Sequence, residues 1–255
     1  MEDNPSEPEP VGGEYAVSQI WNRTGGQKGE VTTYTYDHLG RPLEAVTEGY
    51  SDNDVVEYVM TESHTYGDGI IFKEVDHILR YVYKLDDSGR VVECTVYPVH
   101  AEPYILNTIT YDENGLMATC FEEGALMKLH WENGDLMGWD EFAEDGSIVG
   151  KATIEYNDIE SEHCLAHPLF TSWNDMLYAR GFYGKVSRHL PIYYKRENFS
   201  ADGTLSFYIE RTYTYELTGG RVSSYTDQGE TTGMLYGMPY TATSTKTYHI
   251  SWTRL

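Results

Sequence analysis

Cysteine is scarce in this chain, which has only Cys94, Cys120 and Cys164 among its 255 residues. Three cysteines are too few for a disulfide scaffold, and their odd number allows at most one internal pair. The sequence leaves open whether any two of them pair. Reduced, partly buried thiols are the expected state.

Basic residues and long apolar runs are also lacking. The chain has 18 Lys and Arg against 41 Asp and Glu, which gives a formal net charge of −23. This charge repels phosphate backbones and anionic lipid, so no nucleic acid partner is predicted. No run of 18 apolar residues occurs, and the mean hydropathy is −0.51, which excludes a membrane-spanning helix.

Familiar reaction motifs are missing as well. The glycines at 25, 26 and 29 lack the Gly-Lys-Ser/Thr ending of a phosphate loop, and no Gly-x-Ser-x-Gly nucleophile motif occurs. The acidic turns that begin at Asp86 and Asp112 lack the alternating ligand spacing of a calcium loop. The sequence therefore predicts no catalytic residues, no metal ligands and no cofactor, and it leaves the ligand-binding residues undetermined. It favours a non-enzyme, with a carbohydrate-active hydrolase that uses paired carboxylates as the alternative.

Two clusters are candidates for binding. In residues 160–168, ESEHCLAHP, a helix would place His163 and His167 on one face beside Cys164, as a zinc site requires. A second pair of ligands is missing, so the favoured interpretation is a loop over the mouth of the β-barrel that the strand pattern predicts below. Trp131, Trp139 and Phe142 lie on neighbouring predicted strands and could stack against sugar rings, although packing explains such aromatics more often.

A strand-turn-strand unit dominates what the sequence does contain. In YTYDHLGRPL, Tyr34 and Tyr36 alternate with threonine and share one face of a strand, and Asp37 and Gly40 bracket a turn. Related joints recur at residues 86–89, 112–115 and 144–146. The 23 tyrosines suit a pleated, half-buried sheet surface. These patterns predict an all-β protein built from successive antiparallel hairpins.

About sixteen strands cannot form a flat open sheet, because twist accumulates until the sheet curls, splits or closes. A long antiparallel meander rolled into a barrel-like sheet is predicted, with a two-sheet sandwich as the alternative. The pattern breaks once, between Asn157 and Pro191. There Ser172 and Gly181 are typical of the start and stop of one short helix, over about residues 172–181, which serves as a cap or plug. Its residues Met176, Leu177 and Arg180 predict a single apolar stripe with a polar back.

The chain divides into two parts. Residues 1–13 are acidic and proline-rich and predict a disordered tether, and residues 14–255 predict a single β-meander domain. Because Met1 comes directly before the tether, we expect the chain to begin just after a removed export signal, with a native cytosolic start as the alternative.

Two segments resemble known families. The joints YTYDHLGRPLEAVT, KLDDSGRVVECT and ITYDENGLMATC resemble the tyrosine-aspartate repeats of Rhs-type extracellular proteins, whose repeats are β-hairpins. FYGKVSRHLP, residues 182–191, is similar to a segment of a Bacteroidetes family of secreted, lipid-anchored proteins with a porin-like β fold and unknown function. In this chain Arg188 and His189 stand where Lys and Asn are expected.

This resemblance implies a secreted or outer-membrane-anchored protein at the cell surface or in the periplasm of a Gram-negative bacterium. We expect a binding or structural module for a glycan or an extracellular protein, with an undetermined oligomeric state. Contact with the membrane is expected only through a removed N-terminal lipid anchor. The acidic excess, and Arg211 as an interruption of an apolar face, argue against an inserted barrel.

Overall fold

The fold is seen in a computed structural model that describes residues 15–24, 27–51, 53–122, 124–160, 176–200, 202–235 and 238–255. The predicted tether lies outside the described residues. The elements in chain order are β1 (Tyr15–Thr24), β2 (Gln27–Tyr36), β3 (Pro42–Tyr50), β4 (Val56–Gly67), β5 (Ile70–Val75), β6 (Leu79–Leu85), β7 (Val91–Pro98), β8 (Tyr104–Tyr111), β9 (Met117–Glu122), β10 (Ala125–Glu132), β11 (Asp135–Phe142), β12 (Ile148–Glu160), α1 (Met176–Ala179), β13 (His189–Phe199), β14 (Leu205–Thr218), β15 (Arg221–Leu235) and β16 (Met238–Arg254).

All sixteen strands form one closed antiparallel barrel. Each strand pairs with its neighbours in the sequence, and β1 closes the sheet against β16, with Ile20 opposite Ile250. Closure leaves none of the described strands at an open edge of the sheet. The predicted meander barrel is confirmed, and the two-sheet sandwich is wrong.

The alternation of side chains decides which face of each strand points inward. In β14, Tyr213 is buried in the core while Thr212 and Thr214 are exposed, as their two-residue period predicts. Arg211 shares the inner face with Tyr213 and forms an ion pair with Asp227. Arg211 therefore interrupts the inner face and gives no evidence about the outer face, because its charge is neutralised inside the barrel.

An aromatic side chain near the end of most even-numbered strands bonds back to the preceding strand. In seven hairpins of the described chain, a tyrosine hydroxyl or tryptophan Nε1 donates to a backbone carbonyl at 2.6–2.8 Å. The pairs are Tyr36 to Val17, Tyr66 to Pro42, Tyr111 to Val91, Trp131 to Met117, Tyr156 to Leu136, Tyr215 to Pro191 and Trp252 to Val222. We call these side chains the aromatic layer. They provide buried apolar area and satisfy their own polar tips, which accounts for five of the 23 tyrosines.

The predicted acidic joints form tight turns with one shared geometry. The Asp37 carboxylate accepts the backbone N–H groups of Leu39 and Arg41, and Asp86 and Asp112 do the same in their own turns. These bonds help hold the pKa of each aspartate below its ordinary value, although burial of Asp37 and Asp86 acts in the opposite direction. Gly40 has a φ of 72°, which glycine adopts without strain.

A short segment closes one end of the barrel from within. The helix α1 has four residues, all buried, and they pack in the same core as inward-facing residues from strands around the barrel. It ends where Gly181 adopts a φ of 81°, and Phe182 N–H bonds to the Leu177 carbonyl at 2.9 Å in a Schellman arrangement. The predicted stop at Gly181 is confirmed, whereas residues 172–175 lie outside the described part. The predicted single apolar stripe is wrong, because a helix surrounded by the barrel is buried on every side.

Residues 176–188, called the plug, are fastened to the turns and strand ends at this end of the barrel. Val91 N–H donates to the Phe182 carbonyl at 2.7 Å, and Lys185 N–H donates to the Gly115 carbonyl at 3.2 Å. The Ser187 hydroxyl accepts Leu136 N–H at 3.1 Å and lies 2.9 Å from the Tyr156 hydroxyl of the aromatic layer. The plug therefore takes part in the same hydrogen-bond framework as the hairpins.

Candidate functional site

The interior of the barrel changes character along its axis. On β16 the inward-facing series runs from Ile250, which is buried near the plug, through Tyr248 to Lys246 and Ser244, which are exposed. On β4 the inward series ends at Tyr58, which is 48% exposed. Inward-facing side chains can be exposed only where the interior is accessible to water. We call this end the open end, and the opposite one the plugged end.

A cavity of about 260 Å³ lies between the plug and the open end. Its walls come from β1 to β5 and β16, and Met176 of α1 contributes to its lining. Thr32 and Thr47 face each other across β2 and β3, with their hydroxyl oxygens 2.9 Å apart. Tyr34 and Tyr248 add aromatic surface. The cavity is thus polar on its walls and apolar toward its floor.

Glu30 organises the part of the wall nearest the open end. Its carboxylate accepts one bond from the Asn22 amide at 3.1 Å and one from the Tyr58 hydroxyl at 2.5 Å. The bond to Glu30 is the main reason that the pKa of Tyr58 rises to about 12. The ring of Tyr58 lies over Gly49, where a side chain would collide with it. Glu30 is therefore held by two neutral donors.

A buried cluster of three titratable side chains forms the deeper wall. The Lys73 ammonium lies 2.8 Å from the Glu62 carboxylate, and His64 sits directly opposite Lys73 on the neighbouring strand. His64 is 8% exposed, and its Nδ1 has no hydrogen-bond partner among the described residues. Burial, and secondarily the Lys73 charge, lower the pKa of His64 to about 3. The imidazole is therefore neutral at physiological pH.

Other inward-facing charges are neutralised by partners within the barrel wall. Arg196 bonds to Glu141 at 3.1 Å, and the indole of Trp139 donates to the same carboxylate at 2.8 Å. Arg211 pairs with Asp227, whose pKa is raised by burial against the opposing effect of the arginine. Two inward-facing arginines are thus neutralised inside the barrel, whereas the whole chain is strongly acidic.

Of the predicted site residues, the structure describes Trp131, Trp139 and Phe142, and none of these three lines the cavity. His163, Cys164 and His167 lie outside the described residues, and within those residues no group of three metal-ligating side chains occurs. Trp139 is buried and Phe142 lies on the outer face next to Lys128, so with Trp131 they do not form one sugar-stacking platform.

Cys94 and Cys120 are buried, and neither is part of a disulfide among the described residues. Burial raises the pKa of Cys120 to about 12, so this thiol is unreactive. Their positions agree with the expected reduced state, and Cys164 lies outside the described part.

Sequence reasoning missed the residues that line the cavity. The available signal was in IIFKEV, where Lys73 shares the inward face with the core residue Ile71. A charged residue at an inward position of an otherwise apolar strand indicates a buried partner, which here is Glu62. Glu62 and His64 occupy alternate positions of β4 in the same way, but the sequence does not show that β4 and β5 are paired in this register.

Four residues of the segment similar to the Bacteroidetes family have structural roles. Gly184 fits against the carbonyl of Gly115, Ser187 is the bonding centre of the plug, and Leu190 is buried. The Pro191 carbonyl accepts the Tyr215 hydroxyl. These residues of the motif therefore position the plug in the barrel, and none of them is given a catalytic role.

The fold resembles two solved structures. A porin-like protein from Bacteroides uniformis ATCC 8492 matches with a TM-score of 0.66 at 16% identity, over 96% of this chain and 100% of that one. A porin-like protein from Bacteroides vulgatus ATCC 8482 matches with a TM-score of 0.53 at 13% identity, over 94% of this chain and 99% of that one. No protein-family model and no curated protein matches the chain. At this identity the likeness shows a shared porin-like β fold.

Proposed function

We propose that the protein is a binding module of the bacterial cell envelope, and that it holds a small extracellular ligand in a barrel closed at one end. The observation that carries this proposal is the cavity of about 260 Å³, walled by polar side chains and blocked by the plug. Ligand sites are typically concave, largely preformed and oriented by a few polar groups. A barrel filled from one side serves as a receptacle and not as a passage.

The outer face supports attachment to the envelope without insertion into lipid. A row of outward-facing residues crosses four adjacent strands with alternating charge, from Lys128 through Asp140 and Lys151 to Glu197. A basic side chain on the lipid face of a spanning barrel costs about 2–4 kcal/mol at the bilayer midplane. Such a row is compatible with water on the outside. No helix within the described ranges has the length and apolar character needed to cross a bilayer. We propose that any membrane contact is made by an N-terminal lipid anchor and not by the barrel wall.

The binding role is tested with a glycan array and a library of small polar metabolites, followed by thermal shift on each hit. A ligand at one hundred times its Kd should stabilise the fold by about 2.7 kcal/mol. Binding without turnover is the expected result. Release of reducing sugar would show that the protein is a hydrolase and not a binding module. A complete lack of binding would leave only a structural role.

The membrane proposal is tested by flotation with phosphatidylcholine vesicles that contain a trapped dye. The unlipidated chain should remain in the aqueous fraction and release no dye. Co-flotation with dye release would contradict the assignment of the charged row to water.

A further inference from the structure

We infer that the cavity takes a neutral polyhydroxylated ligand about the size of a single sugar ring, and that His64 gives it a hydrogen bond. This inference rests on the proposed function, because it names the ligand class of the same cavity. Three independent features of the cavity lead to it: the balance of its charges, the state of His64 and its dimensions.

The charges that line the cavity nearly balance, which disfavours a ligand with a strong net charge of either sign. Three carboxylates, Glu30, Glu44 and Glu62, and two ammonium groups, Lys73 and Lys246, contribute to the lining. An anionic ligand would lie beside three carboxylates, and the negative field of the whole chain would oppose its entry. A cationic ligand that paired with Glu62 would displace Lys73 and leave a buried ammonium unpaired, which is costly.

His64 is a polar group in the wall with capacity for a hydrogen bond. Its Nδ1 is enclosed and has no partner among the described residues, although the ring lines the cavity. A neutral imidazole carries one N–H, and a proton on the enclosed Nδ1 would be a buried donor without an acceptor. The favoured tautomer therefore has its proton on Nε2. A ligand hydroxyl can accept that N–H and donate in turn to a neighbouring oxygen.

The remaining lining groups match the two kinds of surface that a sugar ring presents. The Thr32 and Thr47 hydroxyls can both donate and accept, as a hydroxyl-bearing ligand requires. Tyr248 presents an aromatic ring that is already fixed by stacking on Tyr225, at 4.6 Å between centroids. Such a rigid ring suits the C–H face of a sugar. A volume of about 260 Å³ lies below the roughly 300–1,000 Å³ of ordinary drug-sized pockets, which limits the ligand to about one ring.

The experiment compares three sugars that differ in charge and share one ring: galactose, galacturonate and galactosamine, with the glucose and mannose series run in parallel. Binding to the full chain is measured by isothermal titration at pH 7. A neutral hexose should bind at least tenfold more tightly than its acidic and amino counterparts. Tighter binding of a charged member in every series would overturn the inference and leave the binding module standing. If no sugar binds but a compound of the metabolite library does, the inference is likewise overturned and the binding module still stands. If nothing in either collection binds, the proposed function itself is wrong.

The role of His64 is tested with His64→Phe, which keeps a planar ring and removes the N–H. Its affinity for the preferred neutral sugar should fall about tenfold, the equivalent of one hydrogen bond. His130→Gln, on the exposed outer face, is the matched control and should bind like the parent chain. If His64→Phe does not fold, Thr32→Val removes a hydroxyl that lines the same cavity and should lower affinity by a similar factor. Unchanged affinity in a folded His64→Phe chain would remove His64 from the site.

Discussion

At the scale of single residues, the most consequential contact is the ion pair inside the barrel. The side chains of Lys73 and Glu62 are only 9% and 16% exposed, so both charges have lost most of their hydration. The attraction between buried charges roughly offsets this loss, but removing one partner leaves the other uncompensated. Removing one partner therefore destabilises the fold by more than the intact pair stabilises it.

We expect Lys73→Met to lower the free energy of unfolding by about 3–5 kcal/mol, because it leaves the Glu62 carboxylate buried without its cation. The double variant Lys73→Met with Glu62→Met should recover most of that loss. Urea denaturation measures both. Arg80→Met, which breaks the exposed pair between Arg80 and Glu74, is the control and should cost about 1 kcal/mol or less. A double variant no more stable than Lys73→Met would show that shape, and not charge, governs this site.

His64 makes stability depend on pH in a range where carboxylates contribute little. Its pKa is about 3 in the folded chain and about 6.5 when unfolded, so only the unfolded chain takes up this proton as the pH falls below 6.5. Stability from this residue is complete above pH 6.5 and is lost progressively toward pH 3. Between pH 7 and pH 5 the loss amounts to about 2 kcal/mol.

This dependence is measured by comparing urea unfolding at pH 7 and pH 5. The parent chain should lose about 2 kcal/mol more than His64→Leu over that interval. Because only the difference between the two pH values is compared, a general loss of stability in the variant does not affect the result. His130→Gln should retain the parent's dependence. Equal losses in the parent and in His64→Leu would mean that the imidazole is protonated inside the barrel.

At the scale of elements, hairpins and plug differ in how far sequence predicts them. A joint such as Asp37 to Gly40 is local, because the aspartate bonds within its own turn and the glycine supplies the positive φ. Sequence therefore located these turns correctly. The plug depends on contacts between Ser187 and residues about 30 to 50 positions earlier, such as Tyr156 and Leu136, and no local pattern encodes them. The burial of α1 on every side was missed for that reason.

We expect Gly184→Ala to loosen the plug, with Gly146→Ala as the matched control. Gly184 and Gly146 both have a φ of 82°, so alanine at either position pays the same backbone strain of about 1–2 kcal/mol. A Cβ at Gly184 would lie 2.7 Å from the Gly115 carbonyl oxygen, whereas a Cβ at Gly146 meets no atom within 4 Å. Gly184→Ala should therefore be clearly more destabilising than Gly146→Ala.

Two measurements check this difference. Urea midpoints give the stability of both variants, and hydrogen exchange follows the Lys185 amide, which donates to the Gly115 carbonyl. Faster exchange at Lys185 in Gly184→Ala alone would show that the plug has been unseated. Identical behaviour of the two variants would mean that the plug adapts without cost.

At the scale of the whole molecule, the property hardest to predict is closure of the barrel. The number of strands and their order followed from the sequence, because each hairpin pairs neighbours in the chain. The pairing of β1 with β16 joins the two ends of the described chain, and its register depends on the shear of all sixteen strands together. The cavity is equally hard to predict from sequence, because its walls come from β1 to β5 and from β16 and so depend on closure.

Closure can be tested by a cross-link that only a closed barrel permits. Gln19 of β1 and Ser251 of β16 are opposite each other on the outer face, so Gln19→Cys with Ser251→Cys should form a disulfide under mild oxidation. The bond encloses almost the entire chain and should stabilise it by up to about 5 kcal/mol in the loop-entropy account. Peptide mapping by mass spectrometry identifies the bond, and the stabilisation should disappear on reduction. Gln19→Cys with Thr245→Cys is the control, because six further residues along β16 place the second thiol about 20 Å away. A cross-link in the control, or none in the matched pair, would show that the first and last strands do not meet in this register.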